Sequence, residues 1–126
     1  MNKKFIIEIG DVLLITDVQK DFLPGGALPV DSGNEIIPVL NEYIRNFHAA
    51  KAHVLASRDW HPNDHVSFNT QGGPWPPHCI KDTNGAKFSS NLKLPEHTLV
   101  ISKATDPTHE SYSAFDRTIL ANELKR

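Results

Sequence analysis

Three short aliphatic runs constrain this chain more than any other feature: "DVLLITD" (Asp11 to Asp17), "AHVLAS" (Ala52 to Ser57) and "HTLVIS" (His97 to Ser102). Each is almost continuously apolar where a half-exposed strand would alternate, the pattern of strands covered on both faces of a parallel sheet. A further run, "FIIEI" (Phe5 to Ile9), is either a fourth short strand or a lead-in to the first. Between the first two runs lies "DSGNEIIPVLNEYIRNFHAAK", where Ile36, Leu40, Tyr43, Ile44 and Phe47 predict one apolar helical stripe. Ser32 and Glu35 make a capping-box pattern ahead of it. Pro38 in mid-helix would lose a hydrogen bond and clash with the preceding turn, so the helix either starts near Asn34 or bends at Pro38. Strand, helix, strand is a right-handed crossover unit, which implies an open α/β sheet. A chain of 126 residues is expected to form one domain over 1–126.

Open parallel sheets bind their ligands at the carboxyl ends of the strands. The first run ends at Asp17 in "TDVQKDFLPGG", the second leads to Asp59 in "SRDWHP", and the third to Lys103 in "SKATD". One charge at a strand end is usually a solvated surface group. Three in register point to a site.

The stretch "RDWHPNDHVSF" sharpens that expectation. Asp59 and His61 are two residues apart just past a strand, so an extended backbone lets both face one concavity. His65 and His78 are further candidate ligands, the second in "GGPWPPHC", a loop stiffened by Pro74, Pro76 and Pro77. A carboxylate with two imidazoles suits one divalent ion, zinc foremost, with iron and manganese also able to accept the set. His48, His53, His97 and His109 read as surface or supporting residues.

Thirteen basic against fifteen acidic residues give a net charge of −2, which leaves no electrostatic footprint for nucleic acid or an anionic membrane. No run approaches the roughly 20 apolar residues of a membrane span. Lys3 and Lys4 begin like a signal peptide, but Glu8 interrupts the apolar run. A single cysteine fits a reducing compartment. The expected location is the cytoplasm.

Taken in order, "DVQKDF" with "GGAL", "SRDWHPNDHVSF", "GGPWPPHC" and "KATDPTHESYSAF" resemble the nicotinamidases of the isochorismatase-like cysteine hydrolase superfamily. The resemblance runs from about Asp11 to the end of the chain. It implies a three-layer α/β/α fold with a central parallel sheet, and deamination of nicotinamide, and of pyrazinamide, to the acid and ammonia in NAD salvage. It further implies Asp17 as general base, Lys103 as the cation of a catalytic triad, and Asp59, His61 and His78 as metal ligands. His65 sits where some relatives have a further ligand or a contact to metal-bound water. Phe22 and Trp75 match aromatic positions that hold the pyridine ring, and Tyr112 matches a pocket tyrosine.

One element of the family pattern is missing. The nucleophilic cysteine lies in relatives at the start of a helix well downstream of the lysine, and the chain reaches Arg126 without such a motif. The fold is therefore expected to be C-terminally incomplete, with "FDRTILANELKR" forming a helix through the spacing of Ile119, Leu120 and Leu124. Cys79 follows a candidate ligand, but relatives often carry a cysteine there without using it, and a small buried thiol is the usual state of a lone cysteine. The expected protein holds substrate without cleaving it. An open apolar sheet edge also invites self-association or a complementing C-terminal fragment. The competing reading is a standalone, non-catalytic metal- and pyridine-binding module.

Overall fold

The computed structural model describes residues 6–126. Phe5 of the run "FIIEI" lies outside them, and residues 6–11 are not a strand. They enter the sheet through a turn in which the Asp11 N–H donates to the Glu8 carbonyl at 2.9 Å.

Three strands form one parallel sheet: β1 (Val12–Thr16), β2 (His53–Asp59) and β3 (Leu99–Lys103), in the order β1-β2-β3. Leu14 lies opposite Leu55, Leu55 opposite Leu99, and Asp59 opposite Lys103. The second and third strands extend past the apolar runs to take in Asp59 and Lys103. Because side chains alternate across a strand, Ile15, Val54 and Ala56 face one side of the sheet and Leu55 and Ile101 the other.

Helix α1 (Ile37–Ala49) covers the first side and packs Ile37 and Ile44, with Leu40 and Phe47, onto Ile15, Val54 and Ala56. The stripe is thus turned by one residue from the expected one: Ile36 is 50% and Tyr43 44% exposed. The cause lies in how the helix begins. Gly33–Ile36 form a 3-10 turn, and Ser32 sits in the left-handed region (φ 56°) without a side-chain cap. The capping box does not form, because a left-handed Ser32 cannot aim its hydroxyl at the first-turn N–H groups as an extended N-cap does. The α-helix proper begins only at Ile37, so Pro38 falls in its first turn, where its missing N–H is not needed. The helical chain thus starts close to the expected Asn34, but as a 3-10 turn from which the α-helix continues at Ile37.

The second side is covered by the segment after β3, with Ala114 and Leu120 packed on Leu55 and Ile101. This completes three layers. The terminal helix α2 spans only Leu120–Leu124; Leu120 is fully buried, while Ile119 and Leu124 are exposed. One buried anchor holds one turn of helix. No helix among the described residues is long and apolar enough to cross a membrane.

Candidate active site

The carboxyl ends of β1, β2 and β3 bring five of the sequence-selected residues together. Lys103 is 3% exposed and its Nζ lies between two carboxylates, 2.9 Å from Asp17 Oδ2 and in a short contact with Asp59 Oδ1. Burial alone would lower the lysine's pKa; the two carboxylates outweigh it and raise it. Asp17 holds a left-handed backbone (φ 56°) just past β1, a conformation that aspartate tolerates better than most residues. The Ser57 hydroxyl donates to its Oδ1 at 2.8 Å. One side of Asp17 is thus held by a hydroxyl and the other by an ammonium.

Asp59 turns its second oxygen the other way. His61 Nε2 is 3.4 Å and His78 Nε2 3.7 Å from Asp59 Oδ2. Both imidazoles are anchored through their far nitrogens: Nδ1 of His61 contacts the Ala104 carbonyl at 3.1 Å, and Nδ1 of His78 the Pro76 carbonyl at 2.8 Å. A carbonyl only accepts, so both Nδ1 atoms carry the proton and both Nε2 lone pairs are free in the neutral rings. His61 Nε2 is buried without any hydrogen-bond partner, a costly state unless something else satisfies it. Asp59, His61 and His78 present three ligand atoms within 4.8 Å of one another. A divalent metal fits here: the donor set is right, the orphaned nitrogen aims into it, and backbone carbonyls orient both rings as they do for metal-bound histidines.

The electrostatics agree. Burial would raise the pKa of Asp59, but the close imidazoles of His61 and His78 and the charge of Lys103 pull it far below the carboxylate range. Burial would lower the pKa of His78, yet Asp59 and the Pro76 carbonyl raise it.

His65 stacks on His61 with ring centroids 4.2 Å apart, but its own nitrogens are engaged. Its Nε2 donates to the His109 carbonyl (2.9 Å), and its Nδ1 accepts from the Ser67 hydroxyl (2.7 Å). His61, His65 and Glu110 form a second set of closely placed ligand atoms, although His65 would have to give up a bond to use it. The arrangement suits a supporting role.

Phe22 packs on His78 with centroids 5.5 Å apart. Trp75 and Tyr112 form a separate pair, the indole N–H donating to the Tyr112 hydroxyl at 3.3 Å, with Tyr112 73% exposed. The loop that carries Trp75 and His78 folds back on Ser67 and Phe68. Gly73 is required there, because a Cβ would collide with the Ser67 backbone, and the Trp75 N–H donates to the Ser67 carbonyl at 3.0 Å.

Three residues outside the predicted set hold the site together. Gln19, fully buried, accepts from the Asp59 N–H (2.9 Å) and donates to the carbonyls of Asp59 (2.8 Å) and Ala86 (2.9 Å). Phe68, also fully buried, meets the rings of His61, His65 and His78. Asp21 accepts from the N–H of Cys79, fixing the backbone beside His78. Gln19 and Asp21 stand in "DVQKDF", next to Asp17 in the sequence; their neighbourhood was the available signal. Cys79 is itself fully buried, and burial, then the charges of Asp59, Asp21 and Asp17, push its thiol well above the ordinary range. Burial and these charges disfavour the thiolate that a nucleophilic cysteine needs.

The parallel sheet with an ionisable, metal-ligating cluster at its carboxyl end defines a three-layer α/β domain with a hydrolase-type site. The chain belongs to the isochorismatase family, whose domain model matches residues 11–126. It is 36% identical over 118 residues to the nicotinamidase of Escherichia coli, covering 82% of this chain and 55% of that protein. It is 40% identical over 83 residues to the nicotinamidase/pyrazinamidase of Mycobacterium tuberculosis, covering 64% of this chain and 44% of that one. The fold superposes on the pyrazinamidase of Pyrococcus horikoshii in complex with zinc with a TM-score of 0.87 at 53% identity, covering 90% of this chain and 63% of that chain. On the L. infantum protein in complex with nicotinate the TM-score is 0.82 at 37% identity, covering 95% and 64%. The chain spans about half the length of the curated relatives it matches.

Proposed function

We propose that these 126 residues, as one domain, carry the metal-binding and proton-accepting part of a cytoplasmic nicotinamidase acting on nicotinamide and pyrazinamide. The observation that carries this reading is Lys103, whose ammonium joins Asp17 on one side to the Asp59, His61 and His78 cluster on the other. A proton-accepting carboxylate and a metal-ligand set therefore lie one side chain apart. The zinc of the Pyrococcus horikoshii relative and the nicotinate of the L. infantum one support the choice of ion and ring.

Zinc held by Asp59, His61 and His78 would supply a positive centre that orients a pyridine ring through its nitrogen. Phe22 and Trp75 would flank that ring, and Tyr112 would line the pocket beside them. Asp17 would take the proton of an attacking thiol, leaving a thiolate whose charge Lys103 compensates. The thiolate adds to the carboxamide carbon, the C–N bond breaks as the leaving nitrogen takes the proton back from Asp17 and departs as ammonia, and water then splits the thioester to the acid and regenerates the thiol. Cys79 is the only thiol in the chain and is buried in the wrong electrostatic setting. This favours the second reading for these 126 residues alone: they hold metal and pyridine without cleavage, because cleavage needs a nucleophilic thiol that Cys79 does not provide.

The test combines binding with turnover. The zinc-loaded chain is expected to carry about one ion, to show nicotinamide-dependent tryptophan quenching that vanishes on metal removal, and to release no ammonia. His61→Ala should lose the ion, a change of roughly 3 kcal/mol if each ligand carries about a quarter of the affinity of a four-coordinate site. A wild type that holds no zinc would overturn the metal assignment. Turnover abolished by Cys79→Ser would overturn the exclusion of Cys79.

A further inference from the structure

Three of the histidines set aside above are gathered in one place. His48, His53 and His97 line a groove of about 600 Å³ at the amino end of the sheet, where α1 ends and β2 and β3 begin. Its floor is apolar, with Ile44 and Val54 buried and Pro95 half-buried, and its rim carries Arg45 and Lys93. Neither cation makes an ion pair among the described residues. Glu96 is the one carboxylate in the lining. Two unpaired cations and three imidazoles thus face a single acid, on a chain whose net charge is −2.

The groove is not a metal cage. Among the described residues, the sets of ligand atoms that come within 4.8 Å of one another both lie at the candidate active site. Its volume falls in the range of small-molecule sites, roughly 300–1,000 Å³, and greatly exceeds what one inorganic anion fills. The pairing of an apolar floor with a cationic rim calls for a ligand with a flat apolar body and an anionic end. Arginine favours phosphate in particular, since its guanidinium meets two oxygens at once, and imidazoles can stack on or hydrogen-bond a heterocycle. The chain's net negative charge disfavours a long polyanion.

We propose that this groove binds a nucleoside monophosphate, with the phosphate met by Arg45 and Lys93 and the base on the Ile44, Val54 and Pro95 floor. The site is separate from the catalytic one: β2 leaves the groove at His53 and reaches Asp59 about 20 Å further on at the usual rise per residue. It does not rest on the proposed activity.

Calorimetric titration of AMP into the full chain near neutral pH tests it. The expected dissociation constant is about 0.1–1 mM, with adenosine and inorganic phosphate each at least about tenfold weaker. The double variant Arg45→Gln/Lys93→Gln should weaken AMP about tenfold or more, while the melting temperature and zinc content stay unchanged, because both side chains are exposed. No heat of binding up to about 5 mM AMP would overturn the proposal, as would an undiminished double variant. Adenosine binding as tightly as AMP would remove the phosphate contact, phosphate binding as tightly would remove the ring contact, and a single-stranded oligonucleotide binding more tightly would make the groove a nucleic-acid surface. Each of these overturns it.

Discussion

The two ends of the sheet carry the same kinds of residue under opposite conditions. At the carboxyl end Lys103, His61 and His78 are buried, and each lies against a carboxylate. At the amino end Lys93, His48, His53 and His97 are exposed and, among the described residues, lie against no carboxylate within ion-pair distance. A charge taken out of water must be answered by a partner, whereas a charge left in water need not be. The carboxyl end is therefore one interlocked unit whose members depend on one another, and the amino end is a set of independent groups available to a mobile ligand.

The sharpest way to break that comparison is to remove one lysine from each end. Lys103→Met in the metal-free protein leaves the buried Asp59 and the half-buried Asp17 without their shared cation, and should cost about 3–5 kcal/mol in urea unfolding, the usual penalty for orphaning a buried ion-pair partner. Lys93→Met should change stability by less than about 0.5 kcal/mol. Similar losses at the two positions would show that the carboxyl-end charges are not coupled as their distances imply.

A smaller effect is expected from Gln19, which is neutral yet belongs to the interlocked end. Gln19→Leu keeps the volume but strips partners from the Asp59 N–H and from the carbonyls of Asp59 and Ala86. Unfolding should cost about 1–3 kcal/mol, the price of unmet buried polar groups. Zinc affinity should fall about 10–100-fold, the range seen when a group supporting a metal ligand is lost. Gln19→Leu with unchanged zinc affinity would show that Asp59 is held by its contacts with Lys103 and the histidines alone.

This contrast also explains what the sequence could and could not reveal. Asp17, Asp59 and Lys103 were legible because strand-end position follows from the parallel-sheet pattern, which needs no knowledge of side-chain contacts. The helix was legible as an element, but its buried face was not: the 3-10 lead-in at Gly33–Ile36 rotates the start, so Ile37 rather than Ile36 enters the core. Gln19 could not be found by charge, since an amide acts here through backbone groups 40 and 67 residues away. Phe68 reads as any core aromatic until three imidazoles are seen around it. His97 is far in sequence from His48 and His53, and only the meeting of α1, β2 and β3 makes the three neighbours.

The smallest effect, and the one that separates the two ends by pH, comes from Asp59 and His78. In the metal-free protein Asp59 has its pKa depressed by His61, His78 and Lys103 against the opposing effect of burial. Its contribution to stability is present above its unfolded value of about 4 and is lost as the pH falls below it. His78 has its pKa raised by Asp59 and the Pro76 carbonyl, again against burial, so its contribution is complete below about 6.5 and is lost as the pH rises through the folded value. Metal-free protein should therefore melt highest between about pH 4 and 6.5 and a few degrees lower above it. Zinc reverses the alkaline side, because the ion needs a deprotonated His78 and binds better as protons leave. Melting curves with and without zinc should diverge above about pH 6.5, and His78→Gln should flatten the metal-free decline while removing the zinc gain. His97→Gln, at the exposed end and paired with no carboxylate, should leave both curves in place; a shift there as large as that of His78→Gln would mean the amino end is coupled to the site after all.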